Sequence, residues 1–213
     1  MCLRFAILFT LYLLTSATLI TKAQSQETHY LFPEYMPSIV KFKSGQKKQI
    51  FLNYNLLTEE MVFDKNGVKL ALVNAGQIDT VYIGQKKFIP EGEYFFEVNN
   101  ETSIPFYIKH KFTLVPPPKK VAYGGTSETS ATQSLSHITE GGQIYNMKLS
   151  GDYRLLPASV FWLKKGSQYF KITNKKEIMV LLPDKATQIK SLTKSQSIDF
   201  QNQKDLVKLL KQL

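Results

Sequence analysis

Cysteine is almost missing: the single Cys among 213 residues is Cys2. A chain trimmed of its first residues would therefore carry no disulfide, no thiol nucleophile and no thiolate metal site, and packing alone must hold it together. Histidine is scarce as well. His29, His110 and His137 are the only three, and no two share a metal-ligand spacing, so a zinc site would need carboxylates brought in by the fold. No Gly-x-Ser-x-Gly occurs, which removes the usual nucleophile elbow. Gly124-Gly125 and Gly141-Gly142 lack a following Lys-Ser/Thr, so no phosphate loop is present. No cofactor and no metal is expected from these patterns.

Acid is outnumbered by base. Asp and Glu total 17 against 27 Lys and Arg, for a formal charge of +10. The lysines are dispersed in pairs such as Lys47-Lys48, Lys86-Lys87, Lys119-Lys120, Lys164-Lys165 and Lys175-Lys176, a pattern of solvated turns and strand edges. Where the cytosol is excluded, the polyanions left to a basic protein are polysaccharides, lipid head groups and acidic proteins rather than nucleic acid.

Its first residues supply that exclusion. Arg4 precedes an apolar run from Phe5 to Ile20, and Thr21-Lys22-Ala23 places small residues where a signal peptidase reads. Residues 1–23 thus read as a secretory signal, too short to span a membrane and followed by no stop-transfer charges. The expectation is an exported chain starting near Gln24 with no transmembrane segment; peripheral membrane association stays open.

Residues 24–115 carry short alternating segments separated by turn residues. Ser38–Lys43 runs into Ser44-Gly45, and Gln49–Leu57 follows. Met61–Phe63 and Val68–Val73 flank Asn66-Gly67, the positive-φ pair of a tight hairpin. Thr80–Ile83, Lys87–Ile89, Tyr94–Val98 and one strand from Ile104 to Val115 complete an antiparallel series, expected to form a β-barrel or a sandwich-like domain. Pro116-Pro117-Pro118 ends it, and 116–142 reads as a Pro/Gly/Ser/Thr-rich linker or loop. Residues 143–213 read as a small α+β unit. Its strands are Ile144–Leu149, Ser159–Leu163 and Gln168–Ile172, followed by two or three short helices. Thr173 or Asn174 can cap the first helix and Asn202 the last, and Leu206, Leu209, Leu210 and Leu213 form one helical stripe. The fold class is α+β.

Tyr30-Leu-Phe-Pro-Glu34, Leu52-Asn-Tyr-Asn55, Thr58-Glu-Glu-Met-Val-Phe63, Ala122-Tyr-Gly-Gly-Thr-Ser127 and the stretch from Lys175-Lys176 through Leu182-Pro-Asp-Lys185 to Asp205-Leu206 occur in this order. Together they make the chain resemble a group of exported β-rich proteins of Bacteroidota bacteria. The resemblance implies a Gram-negative envelope, in the periplasm or at the outer membrane, and brings no activity or site residue with it. Asp79-Thr80-Val81 also resembles the short O-glycosylation acceptor of those bacteria, against its plainer reading as a strand start.

Aromatic residues are the more informative excess. Phe95-Phe96 and Phe106-Tyr107 are consecutive, so each pair must place one ring on either face of a strand. Tyr54, Phe96 and Tyr107 with Lys86 and Lys87 are the candidate contact residues, suited to sugar rings or a protein surface. Trp162, next to Phe161, is assigned to the core. The function expected is that of a non-enzymatic envelope protein, a binding or accessory module whose partner is an envelope protein or polysaccharide. The alternatives are a hydrolase of an envelope polymer, with Glu59, Glu60, Asp64 or His110 as acid/base, and a binder of anionic polysaccharide or lipid.

Overall fold

The computed structural model describes residues 29–116, 119–120, 126–127 and 153–213. The signal reading of 1–23, most of the linker expected over 116–142 (His137 included) and the strand expected at Ile144–Leu149 lie outside them.

Hairpins build the front of the molecule. Strand β1 (Met36–Phe42) turns at Ser44-Gly45 into β2 (Lys47–Asn55). Strands β3 (Glu60–Lys65) and β4 (Val68–Ala71) meet at Asn66-Gly67, whose φ values of 57° and 82° suit a mirror-type turn. The Asp64 carboxylate accepts from Gly67 N at 2.8 Å and closes that turn. A 3-10 turn at Ala75–Gln77 leads into β5 (Ile78–Ile83), β6 (Lys86–Glu91) and β7 (Tyr94–Asn99).

The single strand expected from Ile104 to Val115 is two. Strand β8 (Phe106–Lys109) stays in the main sheet, while β9 (Phe112–Val115) pairs with β12 (Arg154–Pro157). The break falls at His110-Lys111 because the Tyr54–Leu56 segment takes the polar backbone there. Tyr54 Oη donates to His110 O at 3.2 Å, and Phe112 N donates to Leu56 O at 2.7 Å. Lys119–Lys120 (β10) and Thr126–Ser127 (β11) form a short ladder of their own.

Strands β13 (Val160–Lys165) and β14 (Gln168–Ile172) do not form a sheet of their own. β13 pairs with β8, so one antiparallel sheet of ten strands runs β14-β13-β8-β7-β6-β5-β1-β2-β3-β4. It is open, with β14 and β4 at its edges, and does not close into the barrel expected as one alternative. Three helices follow: α1 (Lys175–Leu181), α2 (Ala186–Ser195) after a 3-10 turn at Pro183–Lys185, and α3 (Gln203–Lys211). Asn174 Oδ1 accepts from Glu177 N at 3.2 Å, and Glu177 reaches back to Thr173, a two-way cap. Asn202 Oδ1 caps α3 through Lys204 N at 2.9 Å. None of the described helices is long and apolar enough to cross a membrane.

The ladder registers sort every strand residue onto one of two faces. One cross-strand row reads Val40, Val81, Phe88, Glu97, Ile108, Phe161, Ile172. This inner face holds the core. Its first half packs Leu52, Tyr54, Met61, Ile83 and Phe95 around Val40, Val81 and Phe88. Its second half packs Phe106, Ile108, Phe161, Leu163 and Ile172 against Ile178, Ile189, Leu206, Leu209 and Leu210 of the helices. The three α3 leucines are fully buried, and their spacing of three and four residues is what puts them on one side. Burying each contributes roughly 1.5–3 kcal/mol.

Candidate functional site

Charge inside the sheet is the first thing the geometry must explain. Glu97 is the only charged member of the inner row, flanked there by Phe88 and Ile108. It is compensated from two sides. His110 Nε2 lies 2.6 Å from Glu97 Oε2, and Lys86 Nζ lies 2.6 Å from Oε1. An ionised carboxylate only accepts, so His110 Nε2 carries the proton. Burial pushes the Glu97 carboxyl up, but the His110 and Lys86 interactions outweigh it and hold the group below the usual carboxylate value. Tyr54 and Phe88 rings stand 6.3 and 6.5 Å from the imidazole.

A second buried acid is held by the lysines on either side of His110. Glu59 has a left-handed φ of 63° and no exposed surface. Lys109 Nζ at 2.7 Å and Lys111 Nζ at 2.9 Å flank its carboxylate, and Lys109 also stands 3.4 Å from the centre of the Tyr94 ring. Burial, reinforced by Glu59, Glu60 and Tyr94, pushes the Tyr54 phenol well above its ordinary value, so its hydroxyl stays a donor to His110 O.

These clusters relocate several expected site residues. Tyr54 is fully buried in the core, which removes it from any contact surface. Lys86 lies on the inner face, drawn to Glu97, because it neighbours Lys87 and strand alternation sends the two to opposite sides. Of the acid/base candidates, His110 is paired with Glu97, Glu59 lies between two lysines, and Asp64 closes a turn. Glu60 lines a depression of about 290 Å³ with Glu93 and Phe95. His29 is buried beside Tyr30, with ring centres 4.5 Å apart. Burial and the Lys69 charge lower the pKa of His29. Among the described residues no three His, Cys, Asp or Glu side chains gather as a metal would require. Thr80 is 6% exposed and its hydroxyl donates to Asp79 at 3.1 Å.

The remaining candidates meet on the outer face. Here the cross-strand row reads Gln49, Ile39, Tyr82, Lys87, Val98, Tyr107, Trp162, Lys171, one residue from each of eight consecutive strands. Lys87 and Tyr107 belong to it; Phe96 lies just beside it. Phe96 stacks on Trp162 with ring centres 5.7 Å apart and meets the edge of Tyr169 at 5.5 Å. Tyr107 meets Tyr169 edge-on at 5.0 Å, and Lys164 stands 4.9 Å over that ring. Phe96 and Tyr107 are buried in this cluster, whereas Trp162 and Tyr169 are only half-buried. Phe96, Trp162 and Tyr169 rim a shallow depression of about 480 Å³ with Glu91, Ser167, Gln168 and Phe170.

Against the expectation of a core Trp162, the register places Phe161 there and turns Trp162 outward. Its indole N–H has no acceptor among the described residues. Towards β1 the row opens, with Ile39 and Tyr82 about two-fifths exposed. No family model matches the chain, and no curated protein or solved structure shows a significant likeness to it.

Proposed function

We propose that this chain is an exported, non-enzymatic binding module of a Gram-negative cell envelope, in the periplasm or at the outer membrane, and that the outer face of its sheet takes an envelope polysaccharide. The observation that carries this reading is the outer row itself. Aromatic rings, among them the exposed Tyr82 and the half-buried Trp162, lie in register with amide and ammonium groups on the side of the sheet opposite the helices. Such rings give a sugar apolar contact while neighbouring polar groups take its hydroxyls. The apolar-to-polar mix at the Trp162–Tyr169 depression, with Ser167 and Gln168 at its rim, has that character. The convergent titratable groups support the same reading from the other side, because Glu97–His110 and Glu59–Lys109 are committed to burial within the fold.

The test is direct. Purified chain beginning at Gln24 is titrated with polysaccharides extracted from a Gram-negative envelope, and the same chain is crosslinked in place to recover stoichiometric partners. Polysaccharide binding weakened by Gln168→Ala and Trp162→Leu supports the reading; recovery of a single protein partner at this face with no polysaccharide affinity overturns it in favour of an accessory subunit.

A second reading rests on the Glu60–Glu93 depression. Two carboxylates lining one hollow is the arrangement glycoside hydrolysis uses. Release of reducing ends that Glu60→Gln abolishes would establish it.

A further inference from the structure

Resting on the outer-face reading, we infer that the ligand is an acidic polysaccharide bound as an extended strand across the sheet, long enough to touch Lys87 and Lys171 at once. The row contains two lysines and no acid. Lys87 and Lys171 make no ion pair among the described residues, whereas three other lysines of this face are engaged: Lys41 with Asp79 at 2.9 Å, Lys109 with Glu59, Lys164 with Tyr169. The two lysines sit on β6 and β14, with β7, β8 and β13 between them. Four strand spacings separate them, about 19 Å along the surface. Between them the row offers Val98, Tyr107 and Trp162, an apolar and aromatic floor, with the Glu91 carboxylate at the rim of the adjoining depression.

A monosaccharide or disaccharide reaches one lysine only. A polymer lying along the row reaches both and covers the aromatic floor, so affinity must rise with ligand length until the span is bridged and then level off. Carboxylate or phosphate substituents are the groups an ammonium recognises, and their attraction is screened by salt. Removal of residues 1–23 leaves a formal charge of +8, which favours encounter with such a polymer without fixing where it sits.

Polygalacturonate serves as the probe, its methyl ester as the neutral chain of the same backbone, and a galacturonate disaccharide as the short ligand. The inference expects measurable affinity for the long acid, about tenfold or more loss on the disaccharide, little binding of the ester, and weakening with added salt. Lys87→Gln and Lys171→Gln should each weaken binding about two- to fivefold. Lys65→Gln, which removes the same charge at the far β3–β4 hairpin, should leave it unchanged. Lys171 and Lys65 are exposed, so neither variant threatens folding.

Equal binding of acid and ester overturns the acidic-ligand inference and leaves the polysaccharide reading standing. Equal loss from Lys65→Gln overturns the row in favour of diffuse charge. Binding to phosphatidylglycerol vesicles with none to the long acid overturns it in favour of a lipid surface. Absence of binding to any polysaccharide, envelope extracts included, brings down the outer-face reading together with the inference.

Discussion

Replacing Glu97 by Gln isolates what the buried charge contributes, because the amide keeps the side chain's shape and leaves no cavity. The interaction with His110 is made between groups 7% and 8% exposed, so its loss should approach the value of a hydrogen bond to a charged group, about 1.5–3 kcal/mol. The Lys86 arm counts for less. That lysine is 38% exposed, and solvent screening limits such a pair to about 1 kcal/mol or less. A loss of roughly 2–4 kcal/mol follows for Glu97→Gln, a fall in Tm of roughly 5–15 °C for a chain of this length. Urea denaturation followed by tryptophan fluorescence measures it, since Trp162 is the only tryptophan. Acid should act like the mutation. The Glu97 carboxyl is held below its ordinary value of 4.5, so the stability it contributes is fully present above that pH and drains away as the pH falls through the lowered value. The wild type should therefore lose more stability than Glu97→Gln between about pH 5 and pH 3. A double-mutant cycle with His110→Gln should return a larger coupling than one with Lys86→Met. A loss under about 1 kcal/mol, or a Lys86 coupling exceeding that of His110, would refute the assignment of this triad as a buried, compensated charge.

Glu59→Ala should cost about 3–5 kcal/mol by urea denaturation, because Lys109 and Lys111 are left largely buried without their carboxylate; replacing both lysines by Met in the same background should recover part of that loss. Asn202→Ala, which strips the cap from Lys204 N and Asp205 N, should cost about 1 kcal/mol and lower the helical signal in circular dichroism without changing binding.

Local chemistry made the hairpins readable. Asn66-Gly67 and Ser44-Gly45 announce their turns because few residues accept positive φ, and the caps at Asn174 and Asn202 announce α1 and α3 for similar reasons of local hydrogen bonding. Strand alternation correctly splits Phe95 from Phe96 and Phe106 from Tyr107. What it cannot supply is which of the two faces is the inner one. That choice depends on the register between strands far apart in the chain, as when Phe161 pairs with Ile108 and turns Trp162 outward. That register is what separates the inward Tyr54 and Lys86 from the outward Phe96, Tyr107 and Lys87. The Glu97–His110 pair has no sequence signature at all, since it joins a residue of β7 to one just past the end of β8, thirteen positions away. The break at His110 was equally hidden, because it is imposed by Tyr54 and Leu56 from across the molecule.

Two parallel rows, offset by one residue, divide the work of the same strands. The inner row from Val40 to Ile172 stabilises the fold, and even its one charge is spent on neighbours. The ends of the outer row, Ile39, Tyr82 and Lys171, stand in solvent and contribute little to the core, so substitutions there can alter a ligand's fit at small cost in stability. Only its middle, where Tyr107 and Trp162 pack with Phe96 and Tyr169, couples the two roles. Binding and stability should therefore separate cleanly at the row's ends and move together at its centre, which is the behaviour expected when a contact surface is built on the back of a load-carrying sheet rather than in a loop.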